Sequence, residues 1–175
     1  MSSLPPPFVS GSKIVNEKAV KEVLGEAFNY DSTFIISSAF CKKALIWAAK
    51  EFSTENLLFV LICSKYSQSP SRDMFNQIYT EFVVPKKAPR ETNLTSAQIQ
   101  ELKAVFEAIP TDPPTIPSMT IFDNAVKNLK AVVRSDTLVR LKAAPFSKAF
   151  TLTPAQKTVF DDAVSCLRSY NIVLM

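Results

Sequence analysis

Few residue types in this chain could carry out chemistry. It contains no histidine, which excludes histidine acid–base catalysis, Ser-His or Cys-His nucleophile pairs and histidine metal ligands. Its two glycines, Gly11 and Gly25, cannot form a Walker loop or a GxGxxG turn, so a glycine-rich phosphate loop is also excluded. We therefore expect no cofactor and no catalytic residue of the chain's own.

Cysteines and carboxylates are the remaining candidates for metal or thiol chemistry. The three cysteines are Cys41, Cys63 and Cys166. Their odd number, wide spacing and lack of a CxxC motif predict reduced thiols rather than a disulfide framework or a zinc site. The neighbours Asp161 and Asp162 face different directions on a helix, and Glu51 and Glu55 have no second carboxylate cluster to pair with. These acids are read as solvated groups and helix caps, and no metal site is predicted.

A short basic run is the most prominent charge cluster of a chain with net charge +4 and pI about 9.0. It consists of Lys86, Lys87 and Arg90. One interpretation is a solvated loop, and the other is contact with anionic lipid or an acidic partner surface. No aromatic residue interleaves with these cations, so a platform for single-stranded nucleic acid is not expected.

The elements that must position these residues all have helical patterns. The 175 residues, 47% of them hydrophobic, fit one folded domain over 14–175, preceded by a mobile Pro/Ser-rich tail over 1–13. The run Leu57–Cys63 is apolar on every side, which predicts a central buried helix. Apolar stripes elsewhere predict an all-α bundle of about eight or nine helices without a convincing strand, beginning with one that is capped by Asn16 and reaches Phe28.

Helix boundaries are predicted from caps and prolines. Asp31 or Ser32 is expected to cap a helix running to about Phe52, with core positions at Phe34, Ile35, Phe40, Leu45 and Trp47. Further starts are expected at Ser71, at Thr95 or Ser96, at Ser135 or Asp136, and at Thr153. The proline-rich stretch Pro110–Pro117 cannot be helical and is read as a loop.

Two polar loops stand just where helices begin. They are the segments Glu51–Asn56 and Arg90–Leu94. From their chemistry alone, Asn56 and Asn93 are read as helix caps and turn residues. On that basis the sequence would predict only a helical domain.

These loops, taken with three later motifs, resemble the regulator of G-protein signalling (RGS) domain family. The motifs in order are Glu51–Phe59, Ile78–Val83, Glu91–Leu94, Phe122–Ala125, and Asp136–Arg140 followed by Phe146. The resemblance covers about Phe34 to Phe150 and implies an RGS-type helical bundle. It also implies a GTPase-activating protein for heterotrimeric G-protein α subunits, which is not itself an enzyme and acts in the cytoplasm.

The resemblance also implies the residues that contact the α subunit. They are Glu51, Ser53, Glu55, Asn56, Glu91, Asn93, Val132, Asp136 and Arg140. By this carry-over Asn93 enters the groove near the nucleotide and holds the partner's glutamine and switch backbone, because its amide both donates and accepts. Asp136 accepts from a switch segment, Arg140 holds Asp136 or reaches the partner, and Glu91 supports the Asn93 loop.

Three departures from the family pattern keep alternatives open. Val60 stands where the family usually has Trp, Thr95 replaces a common acidic residue, and the stretch from Asn93 to Phe122 is longer and rich in proline. These departures favour, as a runner-up, an RGS-like docking module without accelerating activity, in a scaffold or membrane-recruitment role. A third interpretation is a membrane-surface adaptor using the basic run, and recruitment to the inner face of the plasma membrane is left open.

Overall fold

The computed structural model describes residues 30–108, 115–144 and 149–174. Within these ranges all regular structure is helical, which confirms the all-α prediction. A short 3₁₀ turn over Tyr30–Phe34 precedes the α-helices. These are α1 (Ala39–Lys50), α2 (Glu55–Gln68), α3 (Arg72–Ile78), α4 (Ser96–Ala108), α5 (Asp123–Val132), α6 (Leu138–Ala143) and α7 (Pro154–Ser169).

Two π-helical segments join these helices into longer rods. Tyr79–Val83 continues α3, and Val133–Thr137 connects α5 directly to α6. Counted as continuous rods, the described residues form six helices, fewer than the predicted eight or nine. The helix start predicted at Ser135 or Asp136 is therefore wrong, because the backbone stays helical through both residues. Four predictions lie wholly or mostly outside the described residues: the tail over 1–13, the helix from Asn16 to Phe28, the loop Pro110–Pro117 and Phe146.

The entry into α1 also differs from the prediction. Neither Asp31 nor Ser32 starts a helix that runs to Phe52; the chain forms the 3₁₀ turn, breaks, and begins α1 after Ser38. The Ser38 hydroxyl accepts a hydrogen bond of 3.2 Å from the backbone N–H of Phe40. Since serine competes with the backbone for such bonds, it favours a cap at this point. Ile35 lies in the break and is 52% exposed, so its predicted core position is wrong.

Helix α2 is the central element of the bundle, as predicted. Every residue of Leu57–Cys63 is at most 3% exposed. The Phe59 ring packs edge-on against Phe82 and Phe122, with centroids 5.9 and 5.8 Å away. Helices α3, α5 and α7 surround α2. An apolar run of this kind is stable in a helix only when neighbours cover all of its sides, and they do so along Leu57–Cys63.

Helix α7 closes the bundle against α1. Its start is the predicted capping box, in which Thr153 and Gln156 exchange side-chain-to-backbone hydrogen bonds of 2.9 and 3.3 Å, with Pro154 at the first position. Gln156 also donates to the carbonyl of Lys50, and Lys50 donates to the carbonyl of Thr151. The same junction therefore fixes the end of α1, from which the first candidate loop departs.

The three cysteines form no disulfide, as the sequence predicts, and the structure buries all of them. Burial raises the pKa of the Cys41 thiol to about 12, so it stays protonated and inert at neutral pH. No helix among the described residues combines the length and apolar character needed to cross a bilayer.

Candidate functional site

The first candidate loop leaves α1 through a tight left-handed turn. Phe52 has φ of 56°, and the N–H groups of Phe52 and Ser53 donate to the carbonyls of Ala49 and Ala48 at 3.1 and 2.9 Å. This is the Schellman pattern, whose left-handed position is most often glycine because a Cβ is unfavourable there. Here a phenylalanine occupies it, and its side chain is 60% exposed. The turn therefore presents an aromatic ring beside the predicted contact residues.

The loop then enters α2, whose first turn carries Asn56. Asn56 is buried, and its Oδ1 accepts a hydrogen bond of 3.0 Å from the backbone N–H of Asn93. The two asparagines of the predicted site are therefore in direct contact. Asn93 itself is exposed, and within the described ranges its side-chain amide makes no hydrogen bond. The structure thus fixes the Asn93 backbone and leaves the amide available to a partner.

The Asn93 loop is fixed from its own ends as well. Glu91 accepts a hydrogen bond of 3.0 Å from the backbone N–H of Lys86, which stabilises the left-handed turn at Lys86 with φ of 60°. Buried Thr92 uses its N–H and its hydroxyl to bond the carbonyl of Phe82 at 3.1 and 3.0 Å. Glu91 therefore bonds the turn that begins this loop, and its support of the Asn93 loop stays a prediction.

Beyond Asn93 the chain enters α4 through a capping box. The Thr95 hydroxyl accepts from the N–H of Gln98, and the Gln98 side chain accepts from the N–H of Thr95, at 3.2 and 3.0 Å. Aspartate and threonine both cap helix N-termini well. The departure at Thr95 therefore preserves the helix start that the Asn93 loop leads into.

A line of residues on the α5–α6 rod forms the opposite border of the site. Four residues spaced four positions apart lie along one side of the rod: Asn128, Val132, Asp136 and Arg140. The Asn128 amide donates to the carbonyl of Asn93 at 3.4 Å and to Oε1 of Gln98 at 3.3 Å. Val132 is half-buried at the end of α5, one turn beyond.

Arg140 connects this rod to the first loop. Its guanidinium bonds both carboxylate oxygens of Glu51, through Nε at 2.5 Å and Nη2 at 3.0 Å, and also pairs with Asp136. The three side chains are 18% exposed for Glu51, 45% for Arg140 and 58% for Asp136. Hydrogen bonds to these two carboxylates raise the pKa of Arg140 further above its usual range. The structure thus joins residues that the sequence separates widely.

Two polar groups in the first loop have unusual surroundings. The Ser53 hydroxyl is buried and has no hydrogen-bond partner among the described residues. Burial raises the pKa of the Glu55 carboxyl, while its own backbone N–H opposes that shift. Buried polar atoms normally find a partner, so such a group marks either strain or a contact that is completed from outside.

The basic run is not one surface in the structure. Lys86 and Lys87 are exposed on the turn that follows α3. Arg90 instead pairs with Glu81 and Asp162, and its side chain is 19% exposed. Its charge is therefore engaged within the fold, which weakens the interpretation of these three cations as one membrane-binding cluster.

Phe52 and Asn128 adjoin the site, although neither is among the predicted contact residues. A bulky residue at a left-handed C-cap has no signature, because the conformation is visible only in the backbone. Asn128 occupies an amphipathic helix, where a polar residue is read as solvent-facing. The sequence feature that could have placed Asn128 at the site is its position four residues, about one helical turn, before Val132.

The described chain is a helical bundle with an exposed polar face assembled from three separate segments. The family model for the Regulator of G protein signaling domain matches residues 40–150, well over half of the chain. The chain therefore belongs to the RGS family, which confirms the resemblance carried by its motifs. No curated protein matches it significantly. RGS domains generally bind G-protein α subunits, and the chain accordingly functions in the regulation of G-protein signalling.

Proposed function

We propose that this protein accelerates GTP hydrolysis by a heterotrimeric G-protein α subunit, by binding its switch segments in their transition-state geometry. The observation that carries this proposal is the Asn93 backbone, fixed by Asn56 on one side and Asn128 on the other, with a side-chain amide that bonds no other group within the described ranges. Because the backbone is already fixed, only the Asn93 side-chain rotamers have to be ordered when its amide donates to and accepts from a partner.

The chemistry needs no nucleophile or base from this chain. A Gα subunit already carries an arginine in cis and a glutamine that orients the attacking water. A protein that binds the switch segments more tightly in the transition state than in the ground state lowers the barrier, by about tenfold in rate for each 1.4 kcal/mol of difference. The absence of histidine is compatible with that role.

Each segment of the face has a proposed task in binding. Asn93 contacts the partner's glutamine and switch backbone, while Glu51, Ser53, Glu55 and Asn56 line the adjoining loop. Asp136 accepts from a switch N–H, Arg140 orients Asp136, Glu91 supports the loop, and Val132 supplies an apolar contact.

A single-turnover assay against a panel of GTP-loaded α subunits tests the proposal. We expect faster hydrolysis by at least one of them, and tighter binding to its aluminium-fluoride form than to its GDP form. Equal affinity for both forms, with no acceleration across the panel, would contradict the proposal and leave a docking module. Salt-sensitive binding to anionic vesicles without α-subunit affinity would instead support the membrane adaptor.

A further inference from the structure

A polar cluster outside the proposed contact face connects the Asn93 loop to α7. The Arg90 guanidinium lies between two carboxylates, pairing with Glu81 through Nη1 and with Oδ2 of Asp162 through Nη2 at 2.7 Å. Glu81 belongs to the π segment after α3, and Asp162 lies on α7. One side chain from the loop therefore reaches two other elements.

Further groups from α7 and its end converge on Glu81. The Tyr170 hydroxyl donates to Oε2 of Glu81 at 2.7 Å, and the Cys166 thiol lies 3.5 Å from Oε1. Burial, and then the charge of Glu81, raise the pKa of Cys166 to about 12, so the thiol keeps its proton and remains a donor. Glu81 is only 17% exposed. This carboxylate thus accepts from three side chains, one of which lies on α7 and one directly after it.

The backbone transmits this anchorage to the contact loop. The N–H of Arg90 donates to the carbonyl of Glu81 at 3.0 Å, and the N–H of Thr92 donates to the carbonyl of Phe82 at 3.1 Å. Asn93 follows immediately. Only two residues separate Arg90 from Asn93, so a movement of Arg90 away from Glu81 would also shift the Asn93 backbone.

We propose that Arg90 is a positioning residue, which fixes the Asn93 loop by binding Glu81 and Asp162 together and so makes α7 a determinant of the contact face. The expected effect of Arg90 on α-subunit binding rests on the proposed function, whereas its expected effect on the position of the Asn93 loop does not. A guanidinium suits this task because its planar fork serves two acceptors at once, which the single ammonium of a lysine does not do in the same geometry.

Asp162→Asn, measured in the whole 175-residue chain, tests the inference with Asp161→Asn as its matched control. Asp161 is the neighbouring acid on α7, and among the described residues its ion pair is with Lys157 of the same helix, at 2.8 Å. The two acids are similarly exposed, at 61% and 57%, so both substitutions remove one charge from the surface of the same helix. Only the first removes a contact to the loop.

Hydrogen exchange at the Thr92 and Asn93 amides is the readout. We expect Asp162→Asn to accelerate exchange there about two- to fivefold, the range expected for a partly exposed ion pair, while α2 amides such as those of Phe59 and Ile62 stay unchanged. Asp162→Glu, which keeps the charge, should restore protection. Equal exchange in the Asp162→Asn and Asp161→Asn variants, or acceleration that includes α2, would overturn the inference in favour of a merely stabilising pair.

Arg90→Lys extends the test to the partner. If an α subunit is accelerated, we expect this variant to lose part of the acceleration without a matching loss of thermal stability. Full acceleration with unchanged loop exchange would overturn the inference. If no α subunit responds to the wild-type chain, the proposed function fails, but the exchange measurements still decide whether α7 holds the loop.

Discussion

The backbone N–H of Asn93 donates a hydrogen bond of 3.0 Å to Oδ1 of Asn56, a residue 37 positions earlier in the chain. This bond joins the two polar loops into one surface, with Asn56 buried and Asn93 exposed. The buried asparagine has a structural role and the exposed one presents its side chain. Replacing Asn56 should therefore mainly lower stability, whereas replacing Asn93 should mainly weaken partner binding.

Asn93→Ala separates these two roles. Because the Asn93 side chain makes no hydrogen bond within the described ranges, its removal should leave the melting temperature nearly unchanged. The acceleration of GTP hydrolysis should fall at least about tenfold, since a lost transition-state contact of 1.4 kcal/mol has that effect. Single-turnover kinetics and a thermal melt measure the two, with Gln100→Ala, an exposed amide on α4, as the control. A sharp fall in melting temperature would instead show that Asn93 is only a turn cap.

Phe52→Gly tests whether the exposed aromatic ring is there for a partner. Glycine removes the left-handed strain of about 1–2 kcal/mol, so the variant should be as stable as the wild type or more so. Binding to the transition-state form of the α subunit should nevertheless weaken, because the ring is 60% exposed beside the contact loop. Denaturant unfolding and equilibrium binding measure the two effects. Unchanged affinity would show that the ring contributes nothing to recognition.

Arg140→Lys probes the ion pairs that orient Glu51 and Asp136. A lysine cannot reproduce the two-oxygen contact with Glu51 while also holding Asp136. The pairs are partly exposed, so the free energy of unfolding should change by less than about 1 kcal/mol. The binding free energy for the α subunit should fall by more than the free energy of unfolding does. If the variant and the wild type bind the α subunit equally well, Arg140 does not belong to the contact face.

Glu55→Gln should change the pH dependence of stability. Burial raises the pKa of Glu55 in the folded state above its unfolded value, so ionising the carboxyl costs free energy as pH rises through the folded pKa. Below the unfolded value both states are protonated and this cost is absent. The glutamine variant should therefore be more stable than the wild type at pH 7, and the difference should vanish near pH 3. Urea unfolding at both pH values measures it, and a difference that is independent of pH would contradict this assignment.

The sequence alone determined the helical class, the central helix and the caps, because these depend on interactions within a few residues. The apolar run Leu57–Cys63 has no polar side, so its burial follows from its composition. The Thr153 capping box involves residues only three positions apart, so it can be recognised from the local sequence. Boundaries were predicted less well, since Ser38 competes with the caps at Asp31 and Ser32, and a π segment carries the backbone through Ser135.

The tertiary structure decided how the site residues meet. Glu51 and Arg140 are separated by 89 positions, and no local pattern says that the second will bond the first. Likewise, an arginine in solvent and an arginine paired within the fold look the same in the sequence. Only the packing of α7 could show that Arg90 pairs with Glu81 and Asp162. Such contacts depend on how helices pack across the bundle, which is set by the complementarity of whole helix faces rather than by any single segment.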